Sequence, residues 1–201
     1  VGWLLVRSSE HGPLALGGTS NYFRRDMLMT AGGWDAWNVT EDADIGLRFA
    51  RFGGAAAMID PPTYEEAPAK LSGWMKQRTR WMKGHLQTWL VLMRQPISAA
   101  RGMGLANFLS VQLTLGGSIL ASVVHAPIFL WLAAGAFTPV VSLEGWHAAL
   151  FVVGYGSVLA AAIVARPPRI RLWTLLTLPL YWPLLSIAML MALVDIKRRP
   201  H

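Results

Sequence analysis

Two short stretches carry side chains whose types and spacing suit chemistry. Thr40-Glu41-Asp42 places two carboxylates where an amphipathic pattern begins. A general base must be ionised at working pH, and the positive end of a helix favours the ionised form. A carboxylate there can deprotonate a sugar hydroxyl attacking an activated donor. The same three residues are also ordinary helix-capping residues, and the three letters alone do not separate the two roles. Gln77-Arg78-Thr79-Arg80-Trp81 is more specific. Arg80 can hold a phosphate or diphosphate through paired charge-assisted hydrogen bonds. Gln77, one turn back on the same face, adds a neutral donor. Trp81 offers a flat apolar plane for the C–H face of a pyranose. A membrane-surface helix with basic residues and interfacial tryptophans fits these letters equally well.

The second stretch lies on Leu71–Arg94, which reads as one long amphipathic helix. At about 100° per residue, Leu71, Trp74, Met75, Met82, Leu86 and Trp89 form an apolar stripe. Gln77, Arg80 and Gly84 take another face, Trp81 borders the two, and Lys76, Lys83 and Gln87 lie beyond Arg80. Arg78 and His85 fall inside the apolar stripe, a position tolerated at a headgroup layer where cations snorkel. Upstream, Ser20 or Asn21 is expected to cap a helix running through Arg24 and Leu28 to Ala31, ended by Gly32-Gly33. Thr40 is expected to cap a second, from about Glu41 to Phe52. Its Ile45, Phe49 and Phe52 would face a core, and Arg48 and Arg51 would face away. Residues 3–6 and 55–60 read as buried strands. Helix, glycine turn and strand make the rhythm of an α/β domain, with the rest of its sheet expected N-terminal to Val1.

The mean hydropathy of +0.39 and the 54% of hydrophobic residues exceed those of an ordinary soluble domain. Charge is concentrated in 1–104, while 105–195 is nearly free of it. Three apolar blocks, Phe108–Phe137, His147–Ala165 and Leu172–Val194, each approach the roughly 20 residues of a spanning helix. The net charge is +7. Lys and Arg flank the apolar blocks, which points to a lipid bilayer rather than nucleic acid. The ten tryptophans suit a membrane interface. The absence of cysteine excludes disulfides and thiolate-ligated metal. Two basic clusters, Arg166/Arg169/Arg171 and Lys197/Arg198/Arg199, flank the last block, and neither three nor four spans put both on one side. A last block broken or re-entrant at Pro179 and Pro183 would do so, and is expected. His11, His125, His147 and His201 show no metal-ligand spacing. Four segments follow: 1–66, the C-terminal part of a catalytic domain; 67–104, an interfacial helix region; 105–195, a membrane region; and 196–201, a basic tail.

The order of these features, TED, then QRTRW, then apolar blocks, resembles the membrane-embedded family 2 glycosyltransferases. That group includes the bacterial cellulose, chitin and hyaluronan synthases. Gly17-Gly18-Thr19-Ser20-Asn21 followed by Phe23-Arg24-Arg25 looks like the family's glycine-serine segment before its finger helix. Gly32-Gly33-Trp34-Asp35 resembles the GGW/GGF that precedes TED. The resemblance covers most of 14–95 by motif, and 105–195 by hydropathy alone.

The resemblance implies an inverting hexosyltransferase with Asp42 as catalytic base and Trp81 stacked on the acceptor sugar. Gln77 and Arg80, with Arg78 beside them, would line the donor diphosphate and the acceptor entry. Thr19 and Ser20 would lie near the acceptor end, and Glu41 would shape the loop. The implied fold class is α/β plus α-helical membrane: the C-terminal part of a Rossmann-like GT-A domain, an interfacial helix, then transmembrane helices. The implied partners are a nucleotide-sugar donor such as a UDP-sugar, a glycan acceptor, the lipid bilayer and an accessory subunit. A divalent metal, Mg or Mn, would accompany the donor. The DxD that holds it is expected N-terminal to Val1. Asp42-Ala43-Asp44 has DxD spacing but belongs to the TED helix, so no residue here is assigned to metal. The gating motif FxVT is not found. Residues 1–201 alone are therefore expected not to turn over. The implied location is a bacterial inner membrane, catalytic part facing the cytoplasm. Two alternatives stand beside this reading. One is a transferase acting on a lipid-phosphate carrier, which generally lacks QxxRW. The other is a non-catalytic anchor or channel fragment, which explains the hydropathy but not the ordered motifs.

Overall fold

The computed structural model describes residues 13–54, 56, 63–138, 142, 144–165 and 172–198, with backbone only for 161–165 and 172. The expected strand at 3–6, the basic cluster 166–171 and all of the expected strand 55–60 except Ala56 lie outside them. Among the described residues the regular structure is entirely helical. The α/β, Rossmann-like GT-A expectation is therefore overturned. The reason lies in what the first two helices pack against. Among the described residues, helix α1 (Arg25–Thr30) and helix α2 (Glu41–Arg51) turn their apolar faces to helices and loop. Ala31, Ile45 and Phe49 gather Leu16, Phe23, Met27 and Leu28 into one cluster. On the far side of α2, Leu47 and Ala50 join Leu92, Ala99, Met103, Val111 and Leu115 in a second.

Helix α2 begins and ends close to where its periodicity places it, but two side chains differ from expectation. Phe52 is 55% exposed, because the helix has ended by that residue. Arg48 is half-buried rather than turned away. Its Nε donates to Asp44 Oδ2 at 2.7 Å and its Nη1 to the Ala31 carbonyl at 2.6 Å, which ties the end of α1 to α2. Burial pushes the Asp44 carboxyl up, and Arg48 opposes that shift. The loop before α1 crosses α2 directly at Gly46. A Cβ there would lie 2.0 Å from the Leu14 carbonyl oxygen, so only glycine admits the crossing.

Helix α3 (Leu71–Leu92) follows, about 33 Å long at 1.5 Å per residue. Helix α4 (Pro96–Met103) starts on a proline, which lacks only an N–H that the first turn would leave unpaired. Helix α5 (Leu105–Val111) runs through a π-helical turn (Gln112–Gly116) into α6 (Gly117–Phe137). At that turn Gln112 Oε1 accepts a hydrogen bond from Trp89 Nε1 at 2.9 Å. Pro127 interrupts the ladder of α6. The neighbouring Ala126 N–H donates to Ser186 Oγ at 2.9 Å, across to the last helix. Helices α7 (Gly145–Ala165), α8 (Leu172–Leu176) and α9 (Leu178–Arg198) complete the order. The last block does break, at Thr177 beside Pro179, and not at Pro183. Pro183 sits inside α9.

Among the described residues two helical runs are long and apolar enough to cross a membrane, Leu105–Phe137 and Leu178–Arg198. The stretch Gly145–Ala160 of α7 is apolar as well. Large apolar side chains point outward along these runs: Leu113 is 79% exposed, Leu130 66% and Val153 69%. Surfaces of that kind suit hydrocarbon better than water. Helix α9 lies between α3 and α6. Its Ala188 and Ala192 permit close approach, and with Met189 they are fully buried against Met82, Met75 and Ile119.

Candidate active site

The start of α2 carries the candidate base. Asp42 is half-buried, and its Oδ1 accepts the Ala43 N–H at 2.8 Å. Its other oxygen, Oδ2, lies 3.3 Å from where a Cβ of Gly18 would stand. The 17–20 loop therefore runs against the carboxylate. Thr40 sits at the N-cap position but does not cap with its hydroxyl. Its N–H donates to Asn38 Oδ1 at 3.0 Å, and its hydroxyl lies 3.3 Å from the same oxygen. Glu41 is exposed. Thr19 and Ser20 are exposed too, and each is tied to the segment that leads into α3. The Thr19 hydroxyl donates to the Glu65 carboxylate, and the Thr63 hydroxyl donates to Ser20 Oγ at 2.9 Å. Ser20 holds φ at +57°, a left-handed conformation uncommon outside glycine and frequent at ligand-binding loops.

Helix α3 is seated on this turn. A Cβ at Gly84 would lie 2.2 Å from Thr40 Oγ1. One turn further on, Asn38 Nδ2 donates to the buried Thr88 hydroxyl at 2.7 Å. The QRTRW residues occupy the turn and a half before Gly84. Arg78 is half-buried. Its guanidinium lies 4.4 Å from the Trp81 ring centroid and 5.4 Å from that of Trp74. One face of Trp81 is thus covered by Arg78. Arg80 is exposed, and Gln77 half-buried. No hydrogen bond or ion pair joins Gln77, Arg80 or Trp81 to Asp42 among the described residues, so the two motifs meet through Gly84 and Thr88 rather than by direct contact.

His85 stands beside both motifs. Burial pushes its imidazole below the usual range; Asp42 opposes that shift and Arg78 adds to it. A depressed histidine binds its proton more readily in the unfolded chain. Stability is therefore intact above about pH 6.5, the unfolded value, and is lost as pH falls from there toward the lower folded value. Thermal unfolding in detergent between pH 7.5 and 5 is expected to show this fall, and His85→Gln is expected to flatten it. An unchanged fall in His85→Gln would assign the acid sensitivity to another group.

The opposite side of α3 rests on α9. The Trp74 and Tyr181 rings meet edge-on at 5.0 Å. The Thr79 hydroxyl lies 3.9 Å from the Met191 sulfur. Lys83, expected on the polar side beyond Arg80, is instead 6% exposed, and its Nζ donates to Asp195 Oδ2 at 2.8 Å. The angular layout of one helix assigns faces but not the neighbours those faces meet. Two signals in the sequence could have marked these residues. Gly84 interrupts a helix at a loss of about 1 kcal/mol relative to alanine, which flags a close approach. Asp195 is the carboxylate that directly follows the last apolar block, and isolated charges beside such blocks carry partners.

A divalent cation does not fit the described residues. No group of three His, Cys, Asp or Glu side chains among them can hold one. Asp44, two residues from Asp42, is engaged by Arg48.

Comparison with known proteins adds three findings. The family model described as glycosyl transferase family group 2 matches residues 2–194. The beta-monoglucosyldiacylglycerol synthase of Synechocystis sp. is 28% identical over 105 residues, 50% of this chain and 22% of that protein. The probable glycosyltransferase YdaM of Bacillus subtilis is 32% identical over 69 residues, 34% of this chain and 16% of that protein. The chain thus spans less than a quarter of the length of either relative. No solved structure matches it.

Proposed function

The chain belongs to glycosyl transferase family group 2, and from that premise we propose that it carries the base and the acceptor side of an inverting sugar transfer at a membrane. The donor is a nucleotide-diphosphate-sugar, a UDP-sugar in the first instance. The acceptor is the end of a growing glycan. Its hydroxyl oxygen attacks the anomeric carbon, its proton passes to Asp42, and the nucleoside diphosphate leaves with the bonding electrons. The observation that carries this reading is the seating of the Thr40–Asp42 turn on Gly84 and Thr88 of α3. That helix presents Arg80 and Trp81 just before the contact and leans on a spanning-length helix behind it. Arg80, exposed and without an ion pair among the described residues, suits the charge of a leaving diphosphate. Trp81, backed by Arg78 on one face, keeps the other for a pyranose. Gln77 adds a donor at the entry; Thr19, Ser20 and Glu41 border it.

A divalent metal on the donor would be held by residues other than those described, and no step here runs through it. In this reading residues 1–201 alone do not turn over, an accessory subunit can assist, and the catalytic part faces the cytoplasm at a bacterial inner membrane. A second reading, transfer to a membrane lipid, is favoured by the relative named a beta-monoglucosyldiacylglycerol synthase.

Steady-state kinetics on the complete protein test the acceptor assignment. Trp81→Ala is expected to raise the acceptor KM about tenfold, the equivalent of roughly 1.4 kcal/mol of lost stacking, with the donor KM within about twofold. A rise confined to the donor KM would move Trp81 to the donor side.

A further inference from the structure

Helix α3 is gripped from two sides at adjacent residues. Gly84 meets the Thr40 turn, and Lys83 meets Asp195 of α9. Lys83 is nearly enclosed, whereas the Asp195 side chain is 41% exposed. Enclosing an ammonium is unfavourable unless a counter-charge accompanies it. One residue earlier, Met82 closes the same strip with Ala188, Met189 and Ala192, so apolar packing also joins the two helices. An ion pair adds register. It is satisfied at one axial setting, while methionine against alanine tolerates sliding.

That register bears on the site because α9 is the frame common to both motifs. Helix α2, which carries Asp42, is anchored through Leu47 and Ala50 on α4 and the π-helical turn. That turn continues into α6, which packs on α9. Helix α3, which carries Arg80 and Trp81, reaches α9 through Trp74, Thr79 and Lys83. We propose that Lys83 is a positioning residue for sugar transfer: its ion pair with Asp195 fixes α3 axially on the last spanning-length helix, and so fixes Arg80 and Trp81 relative to Asp42. This rests on the transferase reading above. Lys83 touches no reacting atom; it acts through the placement of its helix.

The test uses the complete protein in membranes, with Lys83→Met, Asp195→Asn, and the reversed pair Lys83→Asp with Asp195→Lys. Each single variant is expected to lower kcat about ten- to a hundredfold, with the donor KM within about twofold. The reversed pair is expected to regain most of the loss. A role in folding alone would lower the amount of active protein without recovery at equal thermal stability. Singles that keep full kcat, or a folded reversed pair as slow as the singles, overturn the proposal. If the singles do not fold, the reversed pair decides alone: it transfers sugar, or the proposal fails. The chain has no cysteine, so oxidative cross-linking of Thr79→Cys to Met191→Cys reads helix register without any activity. The cross-link is expected to form readily with Lys83 present and to fall several-fold with Lys83→Met; equal yields overturn the proposal. An unmutated protein that consumes no nucleotide-sugar sinks the transferase reading instead, and the cross-link still reports on the ion pair.

Discussion

Asp42→Asn in the complete protein is expected to lower sugar transfer about 10²- to 10⁴-fold, the range that general-base catalysis contributes. Stability is expected to change little. Asparagine retains the side-chain oxygen that accepts the Ala43 N–H, and its shape fits the same space against Gly18. Asp42 makes no ion pair among the described residues, so the change leaves no cation stranded. What disappears is the capacity to take a proton from the acceptor hydroxyl. The measurement is kcat with saturating donor and acceptor, alongside thermal unfolding of the same preparation. Glu66→Gln is the control, because Glu66 is exposed and has no part in the site; its effect is expected to stay within a few-fold. Activity within a few-fold of unmutated in Asp42→Asn would place the base elsewhere.

The second large effect is expected at Gly84. An alanine Cβ there would stand 2.2 Å from Thr40 Oγ1, 2.5 Å from its Cγ2 and 2.7 Å from its Cβ. Rotating Thr40 relieves the first two contacts but not the third, so α3 has to move off the turn. Overpacking of this kind destabilises by about 1–3 kcal/mol. The better helix propensity of alanine returns up to about 1 kcal/mol. The net change in stability is therefore modest, while the geometry of the site shifts directly. A misplacement near 1 Å can lower a rate about 10²-fold. Gly84→Ala is thus expected to depress kcat far more than it depresses the unfolding temperature. Adding Thr40→Gly, which removes all three clashing atoms, is expected to restore part of the rate. A Gly84→Ala protein with unaltered kcat would mean that the α2–α3 contact does not set the site.

Much of the helical framework could be read from periodicity. Leu71 opens α3 as expected, and the end differs by two residues, because a strong stripe of Trp74, Met82 and Leu86 repeats along it. Thr40 precedes α2 as expected, although its hydroxyl turns to Asn38. The α/β inference failed for a physical reason. Ile45, Leu47, Phe49 and Ala50 announce buried faces, but an apolar face does not say whether a sheet or another helix will cover it. Here α4 and the loop around Leu16 and Phe23 do. The last block breaks beside Pro179, in the first turn of α9, but not at Pro183, because a proline inside a helix can be tolerated when packing against neighbours holds it. At the candidate site, motif order pointed to Asp42 and the QRTRW face. The contacts that join them, Gly84 with Thr40 and Asn38 with Thr88, depend on how two helices cross. Lys83 shows the limit most plainly: its partner Asp195 stands on another helix, and no pattern along α3 names it.

The most direct test of sugar transfer to a growing glycan is to supply the complete protein, in membranes, with a labelled nucleotide-sugar and to follow where the label goes. The account predicts label in an organic-insoluble, glycosidase-sensitive product that lengthens with time and is lost in Asp42→Asn. Label confined to solvent-extractable lipid, or a donor left unconsumed, would contradict it.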